Sequence, residues 1–172
     1  NDGYYLVEAN GLFGAIDING NQILKPEWRN IQRSGNYYIV SRKVQKDYSE
    51  QVYQGLTNIL GQTIIDTEFD YIEILKDGLY KARRGSVWFL YDNERRLNEE
   101  SYDSISYNGL IITVTSDGLE GYLDESGKRI ILSEDGKHID LPSKFSWGHH
   151  FKDGIAEVLI KGYKNIVDHD FN

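Results

Sequence analysis

The segment Gly11-Leu12-Phe13-Gly14-Ala15-Ile16-Asp17-Ile18-Asn19-Gly20, followed by Ile23-Leu24, returns as Gly118-Leu119-Glu120-Gly121-Tyr122-Leu123-Asp124-Glu125-Ser126-Gly127, followed by Ile130-Ile131. Two glycines, an aspartate and the apolar columns recur in order. Such self-similarity marks a repeat array, in which each unit buries its apolar surface against its neighbours. The anchors Asp17, Asn58, Asp92, Asp124 and Asp168 stand 41, 34, 32 and 44 residues apart. That spacing holds three or four short strands. No window shows apolar residues at i, i+3 and i+4 over a helical length.

Residues 1–10 read as the end of a partial repeat. Asp2-Gly3-Tyr4-Tyr5-Leu6-Val7 matches Asp77-Gly78-Leu79-Tyr80-Lys81-Ala82 and Asp153-Gly154-Ile155-Ala156-Glu157-Val158, each of which closes a later repeat. Full repeats are expected at 11–50, 51–85, 86–118 and 119–162, with a partial repeat at 163–172. The fourth carries an insertion over about residues 133–144. With repeats cut at both ends and no Met anywhere, the expectation is a fragment of a longer protein.

Within the first repeat, Leu12, Gly14 and Ile16 alternate with Phe13, Ala15 and Asp17, the period of a strand. The Leu12, Gly14 and Ile16 columns keep their character as Leu119, Gly121 and Leu123, which predicts that they face the core. Asn19-Gly20 predicts a tight turn with positive φ angles. Pro26 is expected to end the return strand, since proline donates nothing to a ladder. Trp28 is expected to open the third strand. Residues 37–58 read as one long hairpin. The fold class expected is all-β: tandem short antiparallel meanders stacked as an open, curved, solenoid-like array. A β-propeller is the alternative, since four strands per roughly 40 residues also suits a blade.

Composition narrows the functions. The formal charge of −8 argues against binding nucleic acid or an anionic membrane by charge alone. There is no cysteine, so disulfides and thiolate sites are excluded. No apolar run approaches the roughly 18 residues of a spanning helix, so no membrane insertion is expected.

Gly14, Ile16, Asp17, Gly20 and Pro26, then Phe69-Asp70-Tyr71-Ile72 and Tyr102-Asp103-Ser104-Ile105, then Phe151-Lys152-Asp153-Gly154-Ile155-Ala156-Glu157-Val158 follow one recurring pattern. It resembles that of the WG (KWG) repeat family: Trp-Gly-aromatic-Ile-Asp-x-x-Gly, aliphatics and Pro, Tyr-Asp-x-Ile, and Phe-x-x-Gly-Leu-Ala-x-Val. The Trp-Gly pair itself is degraded to Phe13-Gly14, Trp88-Phe89 and Glu120-Gly121, while Trp147-Gly148 falls in another phase. The resemblance implies a bacterial β-repeat protein that binds partners. It favours a secreted, periplasmic or cell-surface location over the cytoplasm. It brings no catalytic residue and no cofactor.

The repeated aspartates read as turn-capping carboxylates, because a functional site is singular and these recur. Asp17-Ile18-Asn19-Gly20-Asn21 lacks the further oxygen ligands of a calcium loop. His149 and His150 are the one histidine pair, with His138 and Asp140 nearby in the insertion. Neighbouring histidines on a strand point to opposite faces, so no metal is assigned to them. No nucleophile elbow or phosphate-binding glycine loop is present. Lys81, Arg83, Arg84, Arg95 and Arg96 make a basic spot on an acidic chain. The candidate binding residues are therefore Trp147, His149 and His150, together with Arg83, Arg84, Arg95 and Arg96. The expected function is a non-enzymatic module for protein–protein interaction. A carbohydrate-binding surface, built on the many aromatic rings, is one alternative. An enzyme or metal site near Trp147–His150 is another.

Overall fold

The computed structural model describes residues 3–46, 48–98 and 100–172. Among the described residues there is no helix, only eighteen strands, the bridges between them and the turns. The strands form five small antiparallel sheets, none of them a closed barrel. The architecture is the all-β repeat array. Chain contacts divide it into two compact units, residues 1–86 with 91–95, and residues 87–90 with 96–172.

The first unit opens with the sheet β1 (Tyr4–Ala9), β2 (Leu12–Asp17) and β3 (Gln22–Trp28). The second sheet is β4 (Asn30–Ser34), β5 (Tyr37–Lys46), β6 (Ser49–Asn58) and β7 (Thr63–Phe69). The hairpin read over residues 37–58 is β5 and β6, paired without a register break from Tyr37–Asn58 to Lys46–Ser49. A third sheet holds β8 (Tyr71–Lys76), β9 (Leu79–Arg84) and β10 (Val87–Asp92). Tyr91 and Asp92 of β10 belong to the first unit, and Val87 to Leu90 to the second.

The second unit holds a five-stranded sheet of β11 (Ser104–Tyr107), β12 (Ile112–Ser116), β13 (Leu119–Leu123), β14 (Arg129–Leu132) and β15 (His138–Asp140). The insertion thus supplies an edge strand. A last sheet is β16 (Trp147–Gly148), β17 (Ile155–Ile160) and β18 (Tyr163–Asp168). Asn10-Gly11, Asp117-Gly118 and Lys161-Gly162 join adjacent strands with positive φ at both residues. That is the type I′ pattern, whose twist matches that of the flanking strands.

All five anchors do the same work. Asp17 Oδ1 accepts the Asn19 and Asn21 backbone N–H groups, each at 2.8 Å. Asn58, Asp92, Asp124 and Asp168 repeat this with two backbone donors each. Each side chain caps a turn whose N–H groups have no ladder partner.

Three details correct the sequence reading. Pro26 does not end β3, which runs on to Trp28, and the next strand starts at Asn30. The register jumps from Phe13–Trp28 to Ala15–Leu24, so β3 carries extra residues opposite Gly14. Pro26 lies in this bulge, where no ladder donor is needed. The bulge exists because residue 14 is glycine: a Cβ there would fall 2.7 Å from the Leu24 carbonyl oxygen and 2.8 Å from the Pro26 nitrogen. Second, the core column expected of β2 holds only in part: Gly14 is buried, but so is Ala15 on the opposite face, whereas in β13 the same column is buried at Gly121 and Leu123. Ala15 is fully buried and Leu12 is 39 % exposed. The column of Ala15 supplies Leu56 and Leu90, both fully buried. Ala15, Leu24, Ile31, Tyr38 and Val40 make one cluster, packing residues of the first sheet on residues of the second. A strand packed on more than one side does not alternate cleanly. Third, in the turn after β2 only Gly20 takes a positive φ (87°), not Asn19.

Candidate functional site

In the second unit, β13 and β16 come together at Trp147. Its backbone pairs with Leu159 of β17, which aims the indole at β13. The indole Nε1 donates to the Glu120 carbonyl at 2.5 Å. The ring fills the space a side chain at residue 121 would need, 3.0 Å from an ideal Cβ position on Gly121. The repeat glycine that in β2 makes room for the bulge of β3 thus makes room here for an indole.

Around this contact lies a cleft of about 750 Å³. Tyr102, Leu119, Tyr122, Leu141, Trp147 and Leu159 supply its apolar and aromatic walls. Glu100, Asp103, Asp117 and Arg129 supply its charges, with Ser101, Ser116 and Ser146 between them. Asp117 comes from the β12–β13 turn. Asp103 sits just before β11 and accepts the Asp117 N–H through Oδ2 at 2.9 Å. Arg129, on β14, donates from Nη2 to Glu100 Oε2 at 2.5 Å and from Nη1 to the Ser146 carbonyl. Burial pushes the phenols of Tyr102 and Tyr122 up, and the Glu120 carboxylate adds to the effect at Tyr122. Both stay neutral hydroxyls near pH 7 and can donate.

Beside the cleft, His149 Nε2 lies 3.0 Å from the Tyr122 hydroxyl and 3.3 Å from Glu120 Oε1. Its ring stacks on Trp147 with centroids 6.1 Å apart. β16 ends at Gly148, so the strand alternation expected of His149 and His150 does not apply. Their rings lie side by side, with the two Nδ1 atoms in contact. The stretch is tied to β14, where Leu132 donates to the His149 carbonyl and Phe151 to the Leu132 carbonyl. Asp140 is engaged elsewhere, accepting from Lys128 Nζ at 2.5 Å. Among the described residues, no group of three or more His, Cys, Asp or Glu is placed to hold a metal ion.

The basic residues fall differently. Lys81, Arg83 and Arg84 lie on β9, and Arg95 in the turn after β10. Lys81 pairs with Glu73 at 3.2 Å. Arg84 pairs with Glu68 and lies over the Phe69 ring. Arg96, counted with the second unit, covers the Phe89 ring and donates to the Glu100 carbonyl. Lys81, Arg84 and Arg96 are thus committed within the fold. Sequence reasoning picked out Trp147 because it is singular. It missed Asp103, Asp117, Tyr122 and Arg129 as cleft residues: Asp103 reads only as part of the recurring Tyr-Asp-x-Ile pattern, and the four meet only through pairing of β11, β12, β13 and β14.

A family model described as WG containing repeat matches residues 55–88, from within β6 to the start of β10. No curated protein matches the chain. Among solved structures it is similar to one described as KlHsv2 with loop 6CD replaced by a Gly-Ser linker, at 8 % identity and a TM-score of 0.38. The alignment covers 96 % of this chain and 59 % of that one, and a likeness at this level carries no argument. The turn-anchored meanders of the fold and the match over residues 55–88 agree: that stretch is a WG-containing repeat.

Proposed function

We infer that this chain is a non-enzymatic binding module that holds a segment of a protein partner in the cleft of its second unit. The observation that carries the reading is the cleft itself. A volume of about 750 Å³ walled by Trp147, Tyr122 and Leu119 and edged by charged residues has the make-up of an interface: an aromatic and aliphatic floor within a polar rim. The repeated side chains that would otherwise invite a chemical role, the anchor aspartates, are taken up in turns. Aromatic walls also suit a sugar ring, so a glycan is the competing occupant.

The test is capture from lysate and surface fractions of the source organism, with the whole chain as bait. Ser116→Trp, which fills the cleft from the end of β12 without adding charge, is the comparison. One protein enriched near stoichiometry by the wild type and lost with Ser116→Trp supports the reading. Equal capture by both chains, no captured protein, or retention on polysaccharide instead overturns it.

A further inference from the structure

We propose that the occupant of the cleft is an extended peptide segment carrying a lysine or arginine side chain, an inference that rests on the protein-binding reading above. The walls decide the sign of the guest. Arg129 is the one cation among the described residues that line the cleft. Both of its terminal nitrogens are engaged, Nη2 with Glu100 and Nη1 with the Ser146 carbonyl. An incoming anion would have to break a charge-assisted pair to reach it. Glu100 is neutralised by the same pair, which leaves Asp103 and Asp117 as the charges of the lining.

Both residues are set beside the cleft by one turn. Asp117 stands in a two-residue turn, with φ of 51° and 76° at residues 117 and 118. Asp103 Oδ2 accepts the backbone N–H of Asp117 at 2.9 Å, which fixes the Asp103 carboxylate beside that turn. Alone they would be a solvated rim. Here they border a cleft whose walls are Leu119, Tyr122 and Trp147. A lysine or arginine needs both features: an apolar and aromatic surface for its stem and cation, and carboxylates for its charged end. An acidic or neutral guest uses only the first.

The experiment titrates the whole chain into a fluorescently labelled Ala-Arg-Ala-Lys-Ala peptide and into Ala-Glu-Ala-Glu-Ala, following anisotropy. The double variant Asp103→Asn, Asp117→Asn removes both charges and keeps the fold, because Asn still accepts the turn N–H and tolerates positive φ. Glu8→Gln, Glu27→Gln removes the same charge from β1 and β3 in the first unit. The expected result is saturable binding of the basic peptide only, weakened about tenfold by the first pair and unchanged by the second. Equal weakening by both pairs would show attraction to net charge alone and overturn the proposal. So would binding of the acidic peptide, or no saturation up to about 1 mM. A protein captured by the wild type, lost with Ser116→Trp and indifferent to Asp103→Asn, Asp117→Asn would sink the cation inference and leave the protein-binding reading standing.

Discussion

The indole of Trp147 occupies the space a side chain at residue 121 would take: a Cβ on Gly121 would lie 3.0 Å from its Cδ1 and 3.1 Å from its Nε1. The adjoining Glu120 carbonyl receives the Nε1–H at 2.5 Å. Gly121→Ala therefore pushes the ring outward and breaks that bond, at a cost of about 1–2 kcal/mol. Urea unfolding measures the cost. With Phe at residue 147 there is no N–H to lose and a smaller ring to move, so the same glycine change costs less. Equal costs in the two backgrounds would remove the contact from the account of this site.

Gly55 stands opposite a second register shift, where β6 pairs with β7 at Gln54–Phe69 and then at Leu56–Ile65, and it differs from Gly14 in what a methyl would strike. At Gly14 it meets backbone, the Leu24 oxygen at 2.7 Å and the Pro26 nitrogen at 2.8 Å. At Gly55 the nearest atom is the Thr67 hydroxyl at 2.7 Å, which can rotate away, with the Ile65 oxygen at 3.0 Å. Gly14→Ala is expected to destabilise by about 2–3 kcal/mol and Gly55→Ala by about 1 kcal/mol. A reversed order in denaturant titrations would contradict the bulge geometry.

The chain contains its own control for the turn anchors. Asn58 accepts the Leu60 and Gln62 N–H groups, both at 3.0 Å, without a charge. Asp124→Asn is therefore near neutral in thermal unfolding. Asp124→Ala strands the N–H groups of Ser126 and Lys128 and costs about 1 kcal/mol. An alanine variant as stable as the asparagine one would mean that the turn does not need its cap.

Hydrogen bonds from Asn21 hold the Asp17 carboxyl below its ordinary 3.8, and the Asn172 backbone N–H does the same for Asp168. Lys137 and Ser133 bring Asp135 down to about 2. A folded pKa below the unfolded one gives stability that is present above the unfolded value and is lost as pH falls through the folded one. The loss falls between pH near 3.8 and about 2. All three groups are exposed, so each effect is small and shrinks with salt. Asp17→Asn is expected to flatten the acid limb of melting temperature against pH. An unchanged acid limb would deny Asp17 its share.

Much of the fold was legible because some rules are local. An Asx side chain caps the loop that follows it whatever lies nearby, so Asp17, Asn58, Asp92, Asp124 and Asp168 could be read together. The β5–β6 hairpin was legible for the same reason. What alternation failed to report was that β2 is buried on both faces, at Gly14 and at Ala15. Ala15 is small, yet it is fully buried, because residues of the first two sheets share one cluster around it. The bulge at Gly14 then hides Pro26 inside a strand. The cleft was less legible still. Glu100, Leu119, Arg129 and Trp147 are neighbours only after β12, β13 and β14 have paired and Trp147 has reached across to Gly121.

The sheet formed by β4, β5, β6 and β7 joins two strands that close one sequence period to two that open the next. Period and sheet overlap like courses of brick laid in running bond. A seam in the sequence pattern is spanned by hydrogen bonds between β5 and β6, and the gap between one sheet and the next is spanned by chain, at Arg29 and at Asp70. One period therefore cannot melt out alone, since it would strip strands from two sheets at once. Lengthening such a chain by one whole period adds one more course and introduces no new kind of joint.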